Sequence, residues 1–103
     1  MTVLMSNTYV YDKEEGTQEH VVTGLVGVFE DRAKAMPVWN DNLKTIGVPD
    51  EVAETLDPKD TTYHAFVSLD ENGKYTDDVE KCEFIIELMI KDTELNKILK
   101  PGD

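Results

Sequence analysis

The chain has one arginine, one cysteine and no cluster of basic residues. Each scarcity excludes something. Neutralising nucleic-acid phosphates takes several lysines and arginines. With Arg32 alone and scattered lysines, direct binding to DNA or RNA is not expected. Cys82 has no second cysteine to pair with, so no internal disulfide can form, which fits a reducing cytosol. Apolar runs stop at three to five residues, far short of the ~20 that cross a bilayer. Met1-Thr2-Val3-Leu4-Met5 lacks the basic region and apolar stretch of a signal peptide. No glycine-rich phosphate loop, nucleophile elbow or dinucleotide fingerprint occurs. Neither a cofactor nor an enzymatic activity is expected.

What the chain has in excess is acid, unevenly placed. The formal net charge is −12, and residues 49–80 supply −8 of it. That stretch holds Asp50, Glu51, Glu54, Asp57, Asp60, Asp70, Glu71, Asp77, Asp78 and Glu80 against Lys59 and Lys74. Residues 1–48 sum to −3 and residues 81–103 to −1. A concentrated field of one sign speeds association with oppositely charged partners and repels nucleic acids and anionic membranes. The carboxylates from Asp50 to Asp78 are the candidate partner-binding residues, and the partner they imply is a basic protein.

A chain of 103 residues makes one domain, 1–103. The apolar share of 40% is enough for a core and argues against disorder despite a charged share of 31%. Residues 2–11 and 19–29 are rich in β-branched and aromatic residues, with a polar, glycine-bearing loop between them. That pattern predicts a hairpin. Gly24 and Gly27 mark a bulge or a close backbone approach in the second strand. The hairpin edge at residues 2–11 carries few charges, which leaves it open to strand addition and predicts a homodimer.

Glu30 and Asp31 suit a helix N-terminus. Ala35, Val38, Trp39, Leu43 and Ile46 then share one helical face up to a stop at Gly47. Pro37 predicts a kink or a restart within that helix. Trp39 belongs to the packed face; its alternative role is an exposed anchor beside Met36 and Pro37. Val48–Leu56 reads as a second, short helix ended by Asp57-Pro58. Thr61–Leu69 reads as a strand, Asp70–Gly73 as a turn and Lys74–Thr76 as a short strand. Asp77 and Glu80 form a capping box for a last helix. Its apolar side is Val79, Cys82, Ile85, Ile86 and Met89. Glu80, Glu83, Glu87, Lys91 and Glu94 form the polar side, and Leu95, Ile98 and Leu99 extend the helix. A strand over 84–90 competes, because Phe84, Ile86, Leu88 and Ile90 also alternate. The polar stripe favours helix. The expected fold is α+β, an antiparallel sheet of three or four strands with two or three helices packed on one face.

The acidic turn does not fit a calcium loop. With Gly73 at the sixth position of an EF-hand, the first ligand falls on Ser68 and the last on Val79. His20, His64 and Cys82 lie 44 and 18 residues apart, without the close pairs of a zinc site. The alternatives to a binding module are a generic acidic structural or accessory domain whose charge only confers solubility, and a small enzyme or metal-binding protein using that trio. As a core residue Cys82 simply fills space.

Tyr9-Val10-Tyr11 followed by Val26-Gly27-Val28-Phe29-Glu30-Asp31-Arg32-Ala33-Lys34-Ala35 resembles a pattern in small acidic phage and prophage proteins. There a hairpin ending in Gly-Val-Phe leads into an acid-capped helix. The likeness covers about a quarter of the chain and departs at Pro37 and in the acidic middle. It implies an inhibitor of host nucleic-acid machinery, such as a nuclease, polymerase, restriction enzyme or CRISPR effector, acting in the host cytoplasm and in some cases as a nucleic-acid mimic. The expected function is occlusion of the basic groove of such a protein.

Overall fold

In the computed structural model, which describes residues 1–93, the chain runs through β1 (Thr2–Asp12), β2 (Thr17–Phe29), α1 (Arg32–Thr45), α2 (Asp50–Ala53), β3 (Thr62–Leu69) and β4 (Phe84–Asp92). The strands form one antiparallel sheet in the order β2-β1-β4-β3. Single 3-10 turns at Glu54–Leu56 and Val79–Lys81 complete the elements. The fold is α+β, with both helices on one face of the sheet.

The hairpin expected at the N-terminus is present. Asp12 organises its loop, its side chain accepting from the backbone N–H of Glu14 and Glu15. Gly16 takes φ +68° there, a conformation that glycine adopts without strain. The bulge expected near the strand glycines is also present. Leu4 pairs with Gly27 and Met5 with Leu25, so Val26 is the extra residue. A second shift leaves Val21 unmatched between His20 and Val22. A Cβ on Gly27 would lie 2.7 Å from the Phe29 ring.

Asp31 caps α1, accepting from the Lys34 N–H at 2.9 Å. The helix ends in a Schellman motif: Gly47 N–H bonds to Lys44 C=O and Val48 N–H to Leu43 C=O, with Gly47 at φ +86°. Pro37 is exposed and α1 runs through it without restarting. Ala35, Trp39 and Leu43 face the core, and Trp39 is 1% exposed. Trp39 is therefore a packing residue. Its indole N–H donates to Leu56 C=O at 3.2 Å, and its ring meets Tyr63 edge-on. Leu4, Ala65, Val67, Leu69, Leu88 and Ile90 supply the sheet side of the core. Arg32, the only arginine, is a clamp: its guanidinium pairs with Asp92 and donates to the carbonyls of Asp60 and Thr61.

Several further expectations are corrected. Residues 84–92 form a strand, not a helix: Phe84, Ile86, Leu88 and Ile90 lie against the helices, and β4 pairs with both β1 and β3. The capping acid is Asp78, which accepts from Glu80 N–H, and it caps one 3-10 turn only. Lys74–Thr76 makes a single bridge, Leu69 to Tyr75, and no strand. Residues 2–11 are not a sheet edge: β1 is paired on both sides, and the edges are β2 and β3. Within Val48–Leu56 the α-helix is confined to Asp50–Ala53, after Pro49. The extension through Glu94, Leu95, Ile98 and Leu99 lies outside the described residues.

Candidate functional site

The strand alternation that builds the core also builds a second surface. Residues directly opposite in an antiparallel pair project to the same side. Met5 lies opposite Leu25 and Met89, Asn7 opposite Thr23 and Glu87, and Tyr9 opposite His20 and Ile85. On β3, Phe66 lies opposite Glu87 and His64 opposite Met89. These residues point away from the helices. The face mixes apolar and polar side chains and is partly exposed, with Leu25 at 64% and Phe66 at 59%.

At its centre sits a buried carboxylate. Glu87 is 8% exposed. Its Oε1 accepts from Asn7 Nδ2 at 2.9 Å and from the Tyr9 hydroxyl at 3.2 Å, and its Oε2 accepts from His64 Nδ1 at 2.6 Å. An ionised carboxylate only accepts, so Asn7 must present its NH2 and His64 a protonated Nδ1. Asn7 Oδ1 then accepts from the Thr23 hydroxyl, and Thr23 Oγ1 accepts from His20 Nε2 at 2.8 Å. The donors converge on Glu87 from both sides of the sheet, from β2 through β1 on one side and from His64 on β3 on the other.

Burial pushes the Glu87 carboxyl up, but the hydrogen bonds from Asn7, His64 and Tyr9, with the His64 charge, outweigh it and hold the group below the ordinary carboxylate range. Tyr9 is raised, by desolvation first and then by its bond to Glu87 and the charge there. At the far end of β4, Asp92 is lowered, chiefly by Arg32.

This network holds a charge in place and does not activate a nucleophile. The Thr23 proton is committed to Asn7, so His20 is a donor to that hydroxyl and not its base. His20, His64 and Cys82 do not converge. The histidines lie on opposite edge strands, and the buried Cys82 thiol reaches Phe84 C=O at 3.4 Å. Among the described residues no group of His, Cys, Asp or Glu is placed to hold a metal ion.

The acidic residues read from the sequence fall in three places. Asp50, Glu54 and Asp57 line a groove of about 500 Å³ between the end of α1 and α2, with Glu51 beside them. Asp60 follows in the approach to β3. Asp70 and Glu71 line a second groove with Glu80 and Glu83. Asp77 and Asp78 rim a third with Tyr11, Ser68 and Ile85, at one end of the open sheet face. Two of these acids also hold backbone: Asp70 accepts from Asn72 and Lys74 N–H, and Asp78 caps the 3-10 turn. All but Asp70 are exposed. Among the described residues, none of the carboxylates of 49–80 forms an ion pair.

Comparison with protein-family models, with curated proteins and with solved structures finds no match. Among the described residues, no helix is long and apolar enough to cross a membrane.

Proposed function

We propose that the protein is a non-catalytic binding module whose acidic region docks into the basic groove of a nucleic-acid-binding protein and occludes it. The observation that carries this reading is the uncompensated charge. The carboxylates of 49–80, Asp70 excepted, stand in solvent, and among the described residues no lysine or arginine pairs with them. The lysines that do form ion pairs, Lys13 and Lys34, pair outside this stretch. Charge left unpaired at a surface is available to a partner and sets association rate and orientation. The likeness of residues 9–35 to small phage proteins supports the same reading. The target would be a nuclease, polymerase, restriction enzyme or CRISPR effector in the host cytoplasm, with the acidic surface standing in for nucleic acid.

The test begins with affinity capture from a lysate and identification of the bound protein by mass spectrometry. The purified pair is then titrated with duplex DNA at several salt concentrations. The expected result is mutually exclusive binding of DNA and this protein, with affinity falling steeply as salt rises. An affinity that is flat in salt, or a ternary complex with DNA, would overturn the proposal.

A further inference from the structure

We propose that the open face of the sheet is a dimer interface, with a second copy of this chain packed on it face to face. The argument rests on charge, apolar exposure and area, and it is independent of what the acidic region binds. Among the strand positions projecting to this face the only acid is Glu87, and Lys91 and its own partner His64 carry the opposite sign. Glu87 is also buried and hydrogen-bonded within its own chain. In a molecule of net charge −12 the strands of this face carry no excess of acid, and Asp77 and Asp78 stand only at one end of it, so a like-charged copy meets less repulsion here than elsewhere. A basic partner would find at its centre only Glu87, whose oxygens are already taken up by Asn7, Tyr9 and His64.

The apolar content fits the same occupant. Leu25, Val28 and Phe66 are each about half exposed or more, and Met5, Ile85 and Met89 lie partly covered between them. Four strands about 4.8 Å apart and about 28 Å long present roughly 500 Å² of flat area per copy. Two copies therefore bury about 1,000 Å² before side-chain relief is added, which meets the lower threshold for a specific interface. Sheets packed in this way keep their faces about 10 Å apart with interdigitated side chains. The helices of both copies, and the grooves lined by Asp50, Glu54 and Asp57, would remain outermost.

Sedimentation equilibrium of the full chain reads the mass directly. The expected value at high protein concentration is twice the monomer mass of 11.7 kDa. Leu25→Asp with Phe66→Asp changes two exposed positions, so the monomer should keep its circular dichroism spectrum. Each side chain is buried in both copies, so the dissociation constant should rise at least about 100-fold. Asn40→Asp, also exposed but on α1 on the helix side of the sheet, should leave the dimer intact. Val22→Lys alters the outer strand β2 on the opposite side of the sheet. If Val22→Lys separates the copies while the Leu25 and Phe66 changes do not, pairing runs through the β2 edge and the proposal fails. A wild-type mass of one chain at all concentrations also overturns it. Should the double variant not fold, hydroxyl-radical footprinting of the wild-type chain reads the same surface. Protection of Met5, Phe66 and Met89 at high over low concentration is expected, and unchanged reactivity there would refute the interface.

Discussion

Two buried side chains carry opposite kinds of information. Trp39 is apolar mass: it fills the space between α1, β3 and the Glu54–Leu56 turn, with its one polar atom satisfied. Trp39→Ala should cost about 3–5 kcal/mol, as other large-to-small core changes do. A domain of this size is stable by about 5–15 kcal/mol, so urea denaturation should show a much lower midpoint. An unchanged midpoint would contradict the packing. Glu87 is buried charge, and its contribution depends on pH. Its carboxyl is lower in the fold than in the unfolded chain, where it titrates near about 4.3. The stability it adds is therefore present above about pH 4.3 and is lost as pH falls through the depressed folded value. Glu87→Gln keeps the shape but turns an NH2 toward groups that donate. It should cost about 1–3 kcal/mol at pH 7. Urea midpoints from neutral to acid pH should converge for the two proteins, and parallel curves would show that the network adds nothing pH-dependent.

At the scale of elements, α1 and the first hairpin were legible in the sequence, and β4 was not. The α1 signals agree at every level: Asp31 caps, the apolar residues keep helical spacing, and Gly47 reverses the chain. Residues 84–91 satisfy two periods at once. Phe84, Ile86, Leu88 and Ile90 alternate as a strand requires, while Glu87 and Lys91 are four apart, a spacing that serves a helix face and a strand face equally. What decides for strand is an unfilled place between β1 and β3, which no local pattern reveals. The Glu87 network was invisible for the same reason, since Thr23, Asn7, Glu87 and His64 come together only through the register of four strands. Within α1, Pro37 is the one residue that works against the helix: it leaves Ala33 C=O without its usual donor. Pro37→Ala should raise stability by about 1–2 kcal/mol, since the helix gain of up to about 3 is offset by a less restricted unfolded chain. Asp31→Ala should lower it by about 1 kcal/mol through loss of the cap. Thermal unfolding of the pair checks both signs, and a lower midpoint for Pro37→Ala would mean that the ring contributes packing of its own.

The whole molecule sets charge against stability. Its surface holds many like charges with few partners, and self-repulsion of that kind works against the compact state. The fold is held from the other side, by the core and by the Arg32 clamp, with the acidic groups on its rim. Changing Glu54→Gln, Asp57→Asn, Asp60→Asn and Glu71→Gln removes four charges from side chains with no hydrogen bond among the described residues, and spares Asp70 and Asp78, which hold turns. The quadruple variant should unfold at slightly higher urea concentration than the parent, and added salt should raise the parent's midpoint more than the variant's, because less repulsion remains to be screened. Binding should move the other way. With the partner in hand, association should slow more than dissociation quickens, because rim charges act mainly on encounter. The two readouts separate the uses of the charge. A variant that is more stable and binds more slowly shows acid kept for recognition at a cost in stability. A variant that is more stable, binds as before and precipitates at lower concentration shows acid kept for solubility, and the docking surface would then lie elsewhere on the molecule.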